Sequence, residues 1–343
     1  MKKKFIAMTR SIIFGLFLLI LMGFGFTGCS SDDDDDLVGN WIERGAFEGF
    51  PRSDAVAFTI GNDAYIGTGY DGNENERLKD FWKYDATKDF WSQVASLPGV
   101  ARNGAVAFGT DTKGYVGTGY DGTNRLNDFY AYDPTLNQWT SVAPFGGSAR
   151  YGAVAFAINN KGYVGTGYDG NVLKDFWEYN PGNDTWTQKV SVAGSKRRDA
   201  TTFVMNGKGY IVTGVDNGQY VKDFNYYIPE EDRWETLNAI ADVSDDSFDD
   251  DYNMVGINGV AFTLNGKAYI TTGGPGYPGN STWEYNVVTD RWTEKTNFEG
   301  SNRYEAVAFT VNNQAFVTTG RSSGYYLDDV WTFDPDAEYE END

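Results

Sequence analysis

The chain has 343 residues, with 28 basic and 49 acidic side chains, one cysteine and no histidine, for a formal charge of −21. So acidic a chain repels phosphate backbones and speaks against a nucleic-acid partner. The missing histidine removes Ser-His-Asp and Cys-His catalysis and most zinc and copper sites, and a single cysteine cannot form a disulfide framework. Aromatic residues at 16% and 41 glycines indicate a β-rich, turn-rich protein.

The first element in chain order is an address. Lys2, Lys3, Lys4 and Arg10 make the first ten residues basic, Ile12–Phe26 is apolar, and Phe26-Thr27-Gly28-Cys29 ends the segment. A charged start, a short apolar run and small residues before a cut predict a secretory signal over 1–28. The run is short for a stable membrane span. Small residues directly before the only cysteine resemble the lipobox of bacterial lipoproteins. That resemblance implies a lipidated Cys29 as the mature N-terminus and membrane contact through its acyl chains alone, each buried methylene contributing ~0.8 kcal/mol. The alternative is an ordinary signal peptide with an incidental cysteine. Ser30, Ser31 and Asp32–Asp36 then predict a solvated tether over 29–36. Behind a lipidated cysteine this block is similar to the surface-export signal of Bacteroidota lipoproteins. It implies an outer-membrane lipoprotein facing the cell exterior, with a periplasm-facing anchor as the alternative.

Residues 37–336 are repetitive. An Ala-Val-Ala-Phe-like run places its Phe at 58, 108, 156, 203, 262 and 309. Each run precedes a second apolar stretch ending in Thr-Gly, closing at Gly69, Gly119, Gly167, Gly214, Gly273 and Gly320. Aromatic pairs such as Trp82/Tyr84 and Trp177/Tyr179 follow, and Trp91, Trp139, Trp186, Trp234 and Trp292 each lie seven residues beyond the Tyr. Four short β-branched and aromatic runs per copy, separated by Gly, Asn, Asp and Pro, predict four antiparallel strands. At this period they predict an all-β, six-bladed β-propeller. The sixth copy lacks its final Trp, whereas Gly39-Asn40-Trp41 precedes the first copy. An N-terminal strand around Trp41 is therefore expected to complete the last blade and close the ring, leaving 337–343 as an acidic tail.

The apolar run, the glycine, and the Tyr and Trp at fixed separation resemble the Kelch family over nearly all of 37–336. Only Gly273-Gly274 is a true diglycine; the other copies have Thr-Gly. The fold hosts unrelated functions and assigns none by itself.

Candidate site residues come from one face of the predicted ring. An arginine stands three residues before five of the six runs (Arg52, Arg102, Arg150, Arg197 and Arg303), with Gly256 in the fifth copy. The Kelch resemblance places these near the axis. Loops emerging on the same face carry Tyr70, Tyr120 and Tyr168, each followed by Asp-Gly. Guanidiniums beside tyrosines and aspartates suit a carboxylate- or hydroxyl-rich ligand. Repetition in register also suits inter-blade struts, and both roles stay open. Asp80, Asp128, Asp175, Asp223 and Asp329, which begin the third runs, read as structural. Asp54, Asp199 and Glu305 stand two residues after an arginine and are the nearest thing to acid–base equipment or, more simply, local ion pairs. The insertion before the fifth run holds Asp242, Asp245, Asp246, Asp249, Asp250 and Asp251 without an EF-hand pattern, which reads as a mobile acidic loop overhanging this face and only weakly as a calcium site.

The leading expectation is a lipid-anchored binding module for a glycan or protein ligand, with no cofactor, no metal and no catalytic residue. One alternative is a mutarotase for a sialic-acid-like sugar, since a Kelch family with that activity exists. Another is a structural partner in a surface complex. Galactose oxidase activity, implied by a related set of blades, is excluded because its copper site needs histidines and a mature-domain cysteine.

Overall fold

The computed structural model describes residues 37–276 and 279–340, so the expectations for 1–36 and for the end of the acidic tail lie outside the described residues. Among the described residues there are strands, turns and no helix. In the first repeat the strands Val56–Ile60, Asp63–Gly67, Phe81–Asp85 and Phe90–Val94 pair antiparallel in chain order. Val56, Phe58 and Ile60 are buried on one side, while Ala57 and Thr59 are half-buried on the other. This is the period-two alternation of a strand packed on both faces, bulky on one and small on the other. The pattern recurs with inner strands Val106–Gly109, Val154–Ile158, Thr201–Met205, Val260–Leu264 and Val307–Val311. Each inner strand neighbours the next, and the first neighbours the sixth, so six four-stranded sheets form a closed propeller.

The sixth sheet runs, from outside in, Asn40–Arg44, Val330–Asp334, Gln314–Thr318 and Val307–Val311. Trp41 stands opposite Phe333 and packs edge-on against Phe298 and Phe262. The tail docks beside it, with the Gly39 N–H donating to the Ala337 carbonyl at 2.9 Å.

Blades mesh because a large residue of one meets a small residue of the next. A Cβ on Gly114 would stand 2.0 Å from the Phe58 ring, so glycine is required where that ring enters the second blade. Turns between third and fourth strands share another device. The hydroxyls of Tyr84, Tyr132, Tyr179, Tyr227 and Tyr285 donate to Asp89, Asn137, Asp184, Asp232 and Asp290, all in the left-handed region that Asn and Asp tolerate.

Five buried arginines brace the loops at the axial end of the blades. Arg52 donates to both carboxylate oxygens of Asp80 at 2.8 Å, and Arg102 to Asp128, Arg150 to Asp175 and Arg303 to Asp329 in the same bidentate way. Arg197 pairs with Asp223. In each, Nη1 also donates to the carbonyl of a threonine held at positive φ (Thr68, Thr118, Thr166, Thr213 and Thr319). Left-handed threonine is costly because its branched Cβ crowds the backbone, and the guanidinium fixes the carbonyl that this conformation turns inward. Removing one partner of a buried, fully hydrogen-bonded pair costs roughly 3–5 kcal/mol. Asp175 keeps 24% of its side-chain surface in water. We therefore expect Arg150→Met to lower stability by about 3 kcal/mol, the low end of that range, in urea unfolding. A loss under about 1 kcal/mol, the size of an exposed pair, would contradict the strut role.

Candidate functional site

The segments entering each inner strand converge on the axis. Two residues after each strut arginine, or after Gly256 in the fifth blade, the chain passes through the left-handed region at Asp54, Gly104, Gly152, Asp199, Asn258 and Glu305, with φ of 56, 59, 62, 56, 57 and 61°. These six residues are tied into a ring. The Gly104 N–H donates to the Asp54 carbonyl, Gly152 to Gly104, Asp199 to Gly152, Asn258 to Asp199, Glu305 to Asn258 and Asp54 to Glu305, at 2.9–3.1 Å. Every blade thus donates to one neighbour and accepts from the other. The reversal at positive φ also sends the side chains of Asp54, Asp199 and Glu305 toward the axis.

Beside this floor lies a cavity of about 570 Å³. Its wall is the residue between strut and ring, which bridges to the loop after the second strand: Asn103 to Tyr120, Tyr151 to Tyr168 and Tyr304 to Arg321. Four guanidiniums line it, those of Arg77, Arg125, Arg198 and Arg321. Arg321 binds Glu305 bidentately at 2.6 and 2.8 Å and stacks on Tyr304, and Arg198 pairs with Asp199. Arg77 lies between the rings of Tyr70 and Tyr120 and donates through Nε to the Asn103 side-chain oxygen at 2.7 Å. Asn103 in turn donates to Asp54 at 2.7 Å. Arg125 stacks on Tyr168. Among the described residues neither Arg77 nor Arg125 forms an ion pair with a carboxylate.

The carboxyls of the floor are perturbed. Burial, and then the nearby Glu305, push Asp54 up to about 7 against the opposing pull of the Asn103 hydrogen bond and Arg321. Burial raises Asp199 to about 6 in spite of Arg198. A cavity lined by both guanidiniums and proton-holding carboxyls can take an anionic group and hydroxyls together.

The residues singled out from sequence divide between two places. Tyr120 lines the cavity, while Tyr70 and Tyr168 stand behind it as platforms for Arg77 and Arg125. Arg52, Arg102, Arg150, Arg197 and Arg303 do not line it; they are buried and occupied by aspartates. Their expected ligand contacts are corrected on this ground, since the reversal at the ring directs residue i+2, not the arginine, to the axis. For the same reason Glu305 pairs with Arg321 rather than with Arg303, as an extended chain would have implied. The cationic residues that do line the cavity have weak sequence signals. Arg77 and Arg125 lie at unequal distances from their tyrosines; each stands three residues before its strut aspartate, Asp80 or Asp128, but only these two copies carry arginine there, and Val172, Tyr220 and Tyr326 fill the place in others. The acidic insertion does not overhang the cavity either. Tyr252 and Met254 are buried in the core between the fourth and fifth blades, Tyr252 accepts from the Trp292 N–H, and Asp249 accepts from its own loop at Val243 and Ser244.

Fold and comparisons define the class: the chain has the six-bladed fold of a Kelch-type β-propeller. A family model described as Kelch motif matches residues 51–98 and 118–146. No curated protein sequence matches significantly. Among solved structures, one titled "Structure of YjhT" superposes with a TM-score of 0.70 at 16% identity, covering 84% of this chain and 95% of that one. At that identity the likeness is one of fold.

The raised carboxyls fix a sign for pH dependence. Above the ordinary carboxylate value of about 4 the folded chain retains protons on Asp54 and Asp199 that the unfolded chain has released. Their contribution is complete below that value and is lost as pH rises through about 6 to 7. Asp80 and Asp128, held below the ordinary range by their arginines against the effect of burial, act oppositely and only at lower pH. Stability measured by urea unfolding should therefore fall from about pH 5 to about pH 8. Asp54→Asn should flatten that slope; an unchanged slope would refute the assignment.

Proposed function

We propose that this propeller is a binding module whose axial cavity takes a small acidic, hydroxyl-bearing ligand of the uronic- or sialic-acid kind. One observation carries the reading: Arg77 and Arg125, without carboxylate partners and each stacked on tyrosine, stand at a cavity whose floor is carboxyl and amide. A ligand carboxylate would meet the guanidiniums, its hydroxyls would meet Asp54, Asn103 and Asn258, and its ring would lie along Tyr120 and Tyr151. Cys29 and the acidic tether behind it would carry the module at the membrane. The Kelch propeller fold agrees with a binding role.

A second reading, a sugar mutarotase, is favoured by the raised Asp54 and Asp199 carboxyls, which could hold and pass a proton near neutral pH. Galacturonate and N-acetylneuraminate, set against galactose, test both in a thermal-shift series on residues 37–343. Ligand at ~100 times its dissociation constant adds about 2.7 kcal/mol. The acids should raise the melting temperature and galactose should not, and Arg125→Ala should lose the response while melting like the parent. Equal responses to acid and neutral sugar would overturn the reading, and silence toward every sugar would favour a protein partner. Accelerated anomer exchange of the bound acid, lost in Asp54→Asn with binding retained, would select the enzyme.

A further inference from the structure

The fifth blade breaks the strut pattern. Where the other blades have arginine it has Gly256, and where they have aspartate it has Ser281. The neighbours of the missing pair remain. Thr272 keeps the left-handed conformation of its five counterparts, at φ 60°, but its carbonyl has no guanidinium to meet. Trp283 occupies the place of Trp82, Trp177 and Trp331, whose indole N–H groups donate to the strut aspartates at 2.7, 2.9 and 2.7 Å. The Trp283 Nε1 is buried and, among the described residues, has no partner. A cavity of about 150 Å³ lies between these groups, lined by Met254, Gly256, Thr272, Ser281 and Trp283, and by Ile257 and Gly274, which also line the axial cavity.

The chain cannot refill this slot from Gly256. A Cβ there would stand 2.8 Å from the carbonyl carbon of Gly274, so the backbone has closed over the root of the missing arginine. Among the described residues no ionisable side chain lines the slot. A charged occupant would be stranded without a counter-ion, which is costly, whereas an unsatisfied buried donor beside an acceptor favours a neutral group offering both functions. The volume is that of about five waters at ~30 Å³ each.

We propose that this slot is a binding site for a small uncharged amide. The amide carbonyl accepts from Trp283 Nε1, its N–H donates to the Thr272 carbonyl, and its alkyl group packs on Met254 and Ile257. It takes over the two polar functions that arginine and aspartate perform in the other blades, and it does not depend on what the axial cavity binds.

The test follows indole N–H resonances of the tryptophan-labelled chain during titration with acetamide, and in parallel with acetate and guanidinium. Trp283 is assigned by its loss in Trp283→Phe. Trp91 and Trp292, whose indole nitrogens are also unpartnered but lie outside this cavity, serve as internal controls. Acetamide should shift the Trp283 resonance saturably and leave the other two in place, and neither ion should do so. Ser281→Asp, which supplies an internal acceptor, should move the Trp283 resonance without ligand and abolish the response. No saturable shift at Trp283, an equal shift at Trp91 and Trp292, or a matching response to acetate or guanidinium would overturn the proposal. Should Ser281→Asp fail to fold, the titration with its indole controls decides alone.

Discussion

Six main-chain hydrogen bonds running from blade to blade around the axis are the constraint on which the rest of this molecule depends. Each needs its residue in the left-handed region, which glycine, asparagine and aspartate enter at small cost and glutamate less readily. Because every blade both donates and accepts, no segment can withdraw without leaving a buried donor or acceptor unpaired in a neighbour. The reversal this conformation imposes separates two charges that are adjacent in sequence. The arginine two residues earlier turns into the body of its own blade, and the carboxylate at the ring turns to the axis. Ring and strut together fix the residue between them, and those residues are the wall of the cavity.

The consequence is two populations of guanidinium. The strut arginines are desolvated and paired with carboxylate and carbonyl oxygens, so they supply order and no free field. Arg77 and Arg125 rest on aromatic rings that orient them without cancelling their charge. An acidic protein thereby keeps local cationic groups at a cavity that also holds carboxyls.

Much of the fold was legible in the sequence because propeller packing is periodic. The recurring Phe has to find a small residue in the next blade, as Phe58 finds Gly114, and the Tyr has to find Asp or Asn five residues on. Such demands recur from copy to copy and show up on self-comparison. The site is legible only where the copies differ. Arg77 and Arg125 share a place three residues before the strut aspartate with Val172, Tyr220 and Tyr326, Arg321 takes the place of Tyr70, Tyr120 and Tyr168, and Arg198 extends a strut arginine by one residue, so none recurs in more than two copies. The reversal at Asp54, Asp199 and Glu305 had a trace: Gly104, Gly152 and Asn258 fill the same position, and that mixture of Gly, Asn and Asp marks left-handed backbone. The resemblance placed the arginine near the axis, a place that the reversal gives to the carboxylate two residues on.

The division between bracing and binding arginines can be observed directly. In an arginine-labelled sample each guanidinium contributes an Nε–Hε resonance that reports its own surroundings, and galacturonate can be added while all of them are followed. The account predicts that Arg77 and Arg125 move with ligand, accompanied by Arg198 and Arg321, while Arg52, Arg102, Arg150, Arg197 and Arg303 stay in place. Movement of the five buried arginines with the cavity four unchanged would contradict it.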